Sequence, residues 1–305
     1  MSVLFPCVDI VGHGAIASVI AARLDAARES LGIEHLARHV RSTPTNTVAL
    51  LGEKPKALET SINRWSVSQR PTLLIVPVKS YHVLDALKQY TASLPDGSSI
   101  LLLHNGMVSA DALEQYAQRF EILLGTTSIA AYKPSPTHCE QTGLGRTVIG
   151  SRQPMSKERS AQISSWINDI LGDTQWAQNI EQALWEKLVV NAVINPLTAI
   201  HNVNNGQLLD EPLLGQIYPI VLEITNVMLA EGLDAEPKAL LQRVTAVARA
   251  TRNNYSSMQQ DVQHQRQTEI DAINGYIIKT GMKHHISCPL NQSLWEKVIS
   301  LSRQN

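Results

Sequence analysis

Cysteine is scarce in this chain, with three residues in 305, and they are scattered at Cys7, Cys139 and Cys288. Three isolated thiols do not form the framework that stabilises a disulfide-rich domain. The chain contains no CxxC pair and no cysteine–histidine spacing typical of zinc sites. We therefore expect no metal site, and a reducing compartment, the cytoplasm, is the simplest location.

The chain also lacks an excess of either charge and lacks a long apolar run. Lysine and arginine number 26 against 27 acidic residues, a net charge of −1, which disfavours a nucleic-acid or membrane surface as the main partner. No apolar run approaches the ~18 residues of a membrane span. Residues 3–22 are largely apolar with only Asp9 charged. No basic residue precedes them and glycines interrupt them, so a strand, turn and helix are expected rather than a signal peptide.

The apolar fraction, 44%, is high enough for a packed core, and the length suits one large domain or two ordinary ones. Short apolar runs separated by helical patterns predict a parallel sheet in the first half. These runs are residues 6–11, 73–78, 99–103 and 121–124, with helices at 15–30, 81–92 and 109–118 and a small hairpin at 142–150. Helical periodicity then dominates, at 158–171, 181–194, 210–231, 237–249, 258–281 and 290–301. We predict an α/β domain over residues 1–176 and an all-α domain over residues 177–305.

A glycine turn lies where the first predicted strand meets the first helix. It reads Gly12, His13, Gly14, Ala15, Ile16, Ala17, which is the G-x-G-x-x-G/A pattern of dinucleotide-binding turns. The first glycine suits the tight turn, and the second lets a pyrophosphate approach the helix amides. An ordinary strand–helix turn is the alternative. The surrounding strand pattern favours a Rossmann-type, cofactor-binding domain.

The preference between NAD and NADP depends on the residues near the end of the second strand. Glu34 is expected to end that strand region, where an acidic residue would hold the ribose hydroxyls of NAD. Arg38 and Arg41 come soon after it, and a guanidinium matches a 2′-phosphate with two parallel hydrogen bonds. The two arginines favour NADP. Either of them could equally be a solvated loop charge, and which of the two would bind the 2′-phosphate stays open.

A polar row lies on an otherwise apolar helix in the second half. Lys187, Asn191 and Asn195 are spaced i, i+4 and i+8, which puts them within about 80° of one another on one face. Unpaired ammonium and amide groups are costly to bury, so the row suggests a site. The alternative is that Lys187 extends to solvent while the asparagines bridge helices.

A second polar group lies within residues 254–277. Glu269 is expected on a helical stripe with apolar neighbours, and a carboxylate there needs a partner, for which Lys187 is a candidate. The expected neighbours on this stripe are Ala272, Ile273, Tyr276 and Ile277. A surface glutamate is the alternative. Asn254 and Ser257 could bind a substrate or could cap the following helix.

Taken together, these stretches resemble the ketopantoate reductase (2-dehydropantoate 2-reductase) family. The matching segments are GHGAIA (12–17), VPVKSYHV (76–83), LLLHNGM (101–107), LLGTTS (123–128), LWEKLVVNAVINPLTAI (184–200) and NYSSMQQDVQHQRQTEIDAINGYI (254–277). The resemblance implies a Rossmann-type N-terminal domain, an all-α C-terminal domain like that of 6-phosphogluconate dehydrogenase, and an active site in the cleft between them. Ala17, in place of a third glycine, and Ile129, where some relatives have histidine, depart from the pattern.

The resemblance also implies an activity and a set of residues. The activity is NADPH-dependent reduction of ketopantoate to (R)-pantoate, a step in pantothenate and coenzyme A biosynthesis. Lys187 would be the general acid, and Glu269 would bind the substrate hydroxyl and help place the lysine. The implied substrate-side residues are Asn105, Asn191, Asn195, Asn205, Asn254 and Ser257. The implied cofactor-side residues are Gly12, His13, Gly14, Ala15, Ile16, Arg38, Lys79 and Asn105.

Two other interpretations stay open. A reductase of a different 2-keto or hydroxy acid could use the same two-domain plan, because a fold does not determine a substrate. A non-catalytic NADP-binding sensor would need the glycine turn but not the Lys187–Glu269 pair. The expected partner is a small-molecule substrate, and the chain could be a monomer or a homodimer.

Overall fold

The structure is a computed structural model, and it describes residues 4–40, 44–62, 70 and 72–303. The chain divides into two compact units, residues 1–104 with 108–180 and residues 105–107 with 181–305. The first unit extends past the expected boundary at residue 176. The reason is local, since the strand Thr174–Trp176 pairs within the first unit's sheet and the chain then continues to Ile180.

The first unit contains strands at the four apolar runs 6–11, 73–78, 99–103 and 121–124, as expected, together with strands that no such run predicted. In chain order the strands are β1 (Cys7–Val11), β2 (His35–His39), β3 (Thr47–Ala49), β4 (Lys56–Ala57), β5 (Ser61–Ile62), β6 (Leu73–Val76), β7 (Ser99–Leu103), β8 (Glu121–Thr127), β9 (Ala130–Ser135), β10 (His138–Gly143), β11 (Thr147–Gly150) and β12 (Thr174–Trp176). Within the described residues, the main sheet has the order β12-β11-β8-β7-β6-β1-β2-β5 and is parallel except where β11 meets β8. Every residue of β1, β6 and β7 is buried, as expected of central parallel strands. The predicted α/β fold is confirmed.

The hairpin predicted over residues 142–150 is wrong. Instead β10 pairs with β9 in a small second sheet of order β4-β3-β10-β9, whereas β11 joins the main sheet beside β8. The physical reason is burial, because pairing with the main sheet places the side chain of Ile149 in the apolar core, where it is fully buried. Residues 144–146 therefore carry the chain from one sheet to the other.

Helices of the first unit begin and end close to the expected positions. They are α1 (Ala15–Ala27), α2 (Val83–Thr91), α3 (Ala110–Ala117) and α4 (Lys157–Leu171). Serine caps start two of them, since the hydroxyls of Ser109 and Ser156 accept backbone N–H groups of α3 and α4. The buried side of α1 packs into the same apolar core as β1.

The second unit is helical, as predicted. Its helices are α5 (Ile180–His201), α6 (Leu214–Ala230), α7 (Pro237–Ala250), α8 (Ser257–Gln263), α9 (Asn274–Lys283) and α10 (Pro289–Arg303). The helix expected over residues 181–194 is longer, since α5 continues through Pro196. In the part of the chain that the structure describes, no helix is long and apolar enough to cross a membrane.

The continuous helix predicted over residues 258–281 is wrong. It is broken into α8, a 3₁₀ turn at Ile270–Ala272 and α9. Residues 263–269 contain no apolar side chain, so no helical stripe continues into the core across them. Gln265 takes a positive φ of 54°, and the Arg266 guanidinium and backbone N–H both bond to Asp261, which closes the turn after α8.

Candidate active site

The glycine turn lies directly between β1 and α1. Gly12 has a φ of +89°, and its N–H donates to the His39 carbonyl at 2.7 Å, so glycine is required there by conformation. Gly14 precedes α1 in extended conformation with a φ of −60°, and a Cβ added there would meet no atom within 4 Å. The space beside Gly14, at the N-terminal end of α1, is therefore open, as the approach of a phosphate group to the helix amides requires.

Positively charged groups surround this turn. The Arg38 side chain is buried near the end of β2, where Nη1 donates to the Thr45 carbonyl at 2.8 Å, and its Nε has no hydrogen-bond partner among the described residues. The Lys133 ammonium lies 3.3 Å from the His13 carbonyl oxygen. Burial, together with the charges of Lys133 and Arg38, lowers the pKa of His13 below its usual value. These groups fit a bound anion such as a dinucleotide phosphate.

Two of the cofactor-side expectations change in detail. Glu34 precedes β2 rather than ending it, and its exposed carboxylate pairs with Arg70 at 2.5 Å. It is therefore not placed as a ribose ligand at the end of that strand. Arg41, the other candidate for the 2′-phosphate, lies outside the described residues. Lys79 follows β6 and precedes the 3₁₀ turn Ser80–His82.

In the second unit, the polar row occupies one face of α5. Asn195 is buried, whereas Lys187 and Asn191 keep part of their surface exposed. Burial lowers the pKa of Lys187 to about 8, and the negative charge of Glu269 opposes that shift. The structure thus brings Glu269 within electrostatic reach of Lys187.

Glu269 lies near Lys187, but in a different secondary structure from the one expected. It lies outside any α-helix, immediately before the 3₁₀ turn, so the predicted helical stripe with Ala272 and its neighbours is wrong. Its side chain is 4% exposed, and its Oε2 accepts a hydrogen bond from the Asn105 side chain at 3.3 Å. Burying a carboxylate costs free energy unless hydrogen bonds or opposite charges compensate for the lost water, and the Asn105 amide provides such a bond.

The segment 105–107 is attached to the 3₁₀ turn through its backbone. The N–H of Met107 donates to the Ala272 carbonyl at 2.8 Å. Gly106 has a φ of +71°, and a Cβ there would lie 2.5 Å from the Ala272 oxygen. Glycine is needed here both for conformation and for the close approach, which holds Asn105 against Glu269.

A third polar group joins the 3₁₀ turn Asn205–Leu209, which follows α5, to the segment between α7 and α8. The backbone N–H of Asn205 donates to the Asn254 carbonyl at 2.9 Å, and its side-chain amide donates to Thr251 Oγ1 at 2.8 Å. The Asn205 Oδ1 atom is buried and has no hydrogen-bond partner among the described residues. An acceptor left open in this way fits a ligand hydroxyl or amine, or a water molecule.

The residue that caps α8 is neither of the two considered from the sequence. Ser256 is the N-cap, since its Oγ accepts the Gln259 N–H at 3.1 Å, and Ser257 beside it is exposed. Ser256 Oγ also lies 2.7 Å from the hydroxyl of Thr198 on α5. This contact ties the start of α8 to α5 one helical turn beyond Asn195. Sequence reasoning missed Ser256, Thr198 and Lys133, because none of them belongs to a recognisable spacing.

Comparison with known proteins gives consistent findings for both units. The family model described as ketopantoate reductase PanE/ApbA matches residues 8–154, and the model of its C-terminal domain matches residues 179–302. The 2-dehydropantoate 2-reductase of Vibrio cholerae is 35% identical over 96% of this chain and 97% of its own length. The enzyme of that name from Escherichia coli O157:H7 is 38% identical over 74% of this chain and 73% of its own.

Solved structures share the whole fold. A probable 2-dehydropantoate 2-reductase from Bacillus subtilis superposes with a TM-score of 0.79 at 26% identity, covering 97% of this chain and 99% of its own. D-mandelate dehydrogenase with NADH and anilino(oxo)acetate reaches a TM-score of 0.87 at 21% identity, covering 98% and 99%. At that identity the second match shows similarity of fold alone.

Proposed function

This chain belongs to the ketopantoate reductase family and is an oxidoreductase of that type, and from this premise we propose that it reduces 2-dehydropantoate to (R)-pantoate with NADPH. The observation that carries the proposal is the placement of Asn105, Glu269 and Lys187 in one unit, with Glu269 bonded to the asparagine and coupled to the lysine. The product would enter pantothenate and coenzyme A biosynthesis. We further propose a cytoplasmic location.

Lys187 is the proposed general acid. Reduction of a ketone adds a hydride to carbon and a proton to oxygen, and bound NADPH supplies the hydride. With a pKa of about 8, the lysine is mostly ammonium at neutral pH, at about ten to one. It is also a stronger acid than an ordinary lysine, which suits proton donation to the developing alkoxide.

Glu269 and Asn105 orient the reacting groups in this proposal. The carboxylate keeps Lys187 protonated through its charge and offers its remaining lone pairs to the substrate hydroxyl. The hydrogen bond from Asn105 holds that carboxylate in one orientation. Asn105 would thereby act on the cofactor side and on the substrate side at once.

The other asparagines and a serine are proposed to bind the substrate. Asn191 and Asn195 lie one and two turns along α5 from Lys187, and Ser257 is exposed at the start of α8. Amide N–H and hydroxyl groups are suitable donors to a carboxylate. Asn205 and Asn254 complete this side, where the open Asn205 Oδ1 would accept a substrate hydroxyl.

NADPH is proposed over NADH because of the charges near the glycine turn. The turn itself, residues 12–16, offers amides and open space to the pyrophosphate. The buried Arg38, with its open Nε, would bind the 2′-phosphate, Arg41 being the alternative to it, and Lys79 would lie on the cofactor side. Both monomer and homodimer are compatible with this proposal, and the related ketopantoate reductase of Staphylococcus aureus is described as dimeric.

A second candidate is reduction of another 2-keto acid. D-mandelate dehydrogenase shares this fold, and because a fold does not determine a substrate, a different 2-keto acid stays an alternative. The test is to follow NADPH absorbance at 340 nm with ketopantoate and with a panel of other 2-keto acids, each repeated with NADH. Fast oxidation with ketopantoate and NADPH supports the first proposal. Activity with another acid alone overturns its substrate. NADPH binding without any turnover favours a non-catalytic sensor.

A further inference from the structure

The small sheet of the first unit places a lysine beside the glycine turn. Lys133, on β9, lies with its Nζ 3.3 Å from the carbonyl oxygen of His13 and 3.3 Å from His13 Nδ1, although 120 residues separate the two in sequence. On the neighbouring strand β10, the buried Cys139 thiol contacts the Ala15 carbonyl at 3.5 Å. Both strands thus pack against the start of α1.

Among the described residues, no carboxylate is in direct contact with the ammonium of Lys133 or the guanidinium of Arg38. Neither Lys133 nor Arg38 forms an ion pair in that part of the chain. Among nearby acids, Asp9 accepts a hydrogen bond from a histidine at 2.8 Å, and Asp25 accepts two backbone N–H donors while its charge acts on Arg38 without an ion pair between them. The first turn of α1 has no acidic residue and no side-chain cap. Two desolvated cations beside the positive end of a helix are stabilised by an anion.

Two further observations point to a ligand rather than to a structural role. Arg38 is 2% exposed, yet its Nε has no hydrogen-bond partner among the described residues. The position of a Gly14 Cβ is empty to 4 Å. A buried donor without an acceptor and an open space in front of helix amides are complementary to phosphate oxygens.

We propose that Lys133 is a phosphate-binding residue of the dinucleotide site. The inference rests on the proposed function and adds to it a residue that lies outside the glycine motif, on a different sheet. The hydrogen bond of the ammonium to the His13 carbonyl keeps it directed at the turn. On binding, it donates to a phosphate oxygen in a charge-assisted hydrogen bond. Both the pyrophosphate and the 2′-phosphate have the required chemistry.

The test measures the dissociation constants of NADPH and NADH by fluorescence titration and calorimetry, without substrate. Lys133→Met is expected to weaken NADPH binding about tenfold or more, the effect of losing a charged hydrogen bond. Lys133→Arg keeps the charge and is expected to bind within about threefold of the unaltered protein. Lys88→Met removes one charge from an exposed site on α2 and is the matched control, expected to change nothing. Lys133→Gln replaces the methionine variant if that variant does not fold.

Each outcome has a defined meaning. An equal loss for NADPH and NADH supports contact with the pyrophosphate, and a loss confined to NADPH supports contact with the 2′-phosphate. Unchanged affinity for both dinucleotides in Lys133→Met, while the unaltered protein binds them, overturns the role of Lys133 and leaves the proposed function standing. If the unaltered protein binds neither dinucleotide, the proposed function fails, and this inference fails with it.

Discussion

The side-chain amide of Asn274 donates a hydrogen bond to the backbone carbonyl of Ala192 at 3.0 Å. That carbonyl is the one that Pro196, four residues later in α5, cannot bond, because proline has no N–H. The second N–H of the Asn274 amide bonds to Asn291 Oδ1 at 3.1 Å. A buried side chain from α9 therefore lets α5 pass through a proline directly beside Asn191.

Asn274→Ala should destabilise the protein, since it leaves two buried acceptors without a donor. We expect a loss of about 1–3 kcal/mol in the free energy of unfolding, measured by urea denaturation. In a Pro196→Ala background, where the helix regains its own N–H for Ala192, the same substitution should cost about 1 kcal/mol less. An identical cost in both backgrounds would show that the bond to Asn291, and not the bond to Ala192, is what matters.

Lys187→Ala should remove the proposed general acid. We expect kcat to fall at least ~10²-fold, with an unchanged melting temperature and an unchanged dissociation constant for NADPH. Lys279→Ala, at an exposed lysine of α9, is the control for loss of one positive charge in the same unit. Near-normal turnover in the Lys187 variant would exclude that residue as the acid.

Glu269→Gln should move the pH dependence of turnover. Burial lowers the pKa of Lys187 to about 8 and the Glu269 charge opposes it, so removing that charge lowers the lysine pKa further. A general acid works only when protonated, so the alkaline fall in kcat should begin at a lower pH in the variant. A kcat profile that keeps its alkaline limb in place would contradict the coupling.

Glu269→Ala tests the separate role of the carboxylate as a substrate ligand. We expect the KM for ketopantoate to rise more than the KM for NADPH, because the proposed contact is with the substrate hydroxyl. Steady-state kinetics with each substrate varied in turn gives both constants. Equal rises in the two constants would refute the substrate role.

Two glycines offer a matched pair of alanine substitutions. Gly106→Ala should destabilise the protein by about 1–3 kcal/mol, since the position needs a positive φ and its Cβ would collide with the Ala272 carbonyl. Gly14→Ala should leave the melting temperature unchanged, because its φ is ordinary and the space is empty, yet weaken NADPH binding about tenfold or more by filling the phosphate approach. Thermal melts and dinucleotide titrations on both variants separate structure from binding. A Gly14 variant that binds normally would argue against a phosphate at that place.

Much of the fold can be predicted from local patterns in the sequence. The central strands β1, β6 and β7 were predicted because parallel strands buried on both faces need continuous apolar runs. Gly12 was predicted as the tight turn, and its φ of +89° confirms the reason. The row of Lys187, Asn191 and Asn195 was placed on one face because a helix repeats every 3.6 residues. Such features depend on residues close in sequence.

Pairings between distant residues could only be decided by the tertiary structure. Residues 258–281 carry a helical pattern at both ends, but residues 263–269 between them have no apolar side chain, so the helix is interrupted there and Glu269 comes within electrostatic reach of Lys187 from a turn. The hydrogen bond of Asn105 to Glu269 spans 164 residues, and that of Lys133 to His13 spans 120. By itself, the sequence determined the central strands, most of the helices and the glycine turn, since periodicity and backbone conformation are local. The packing of those elements decided which charges and amides meet, because burial and hydrogen bonding act between atoms that are neighbours only in three dimensions.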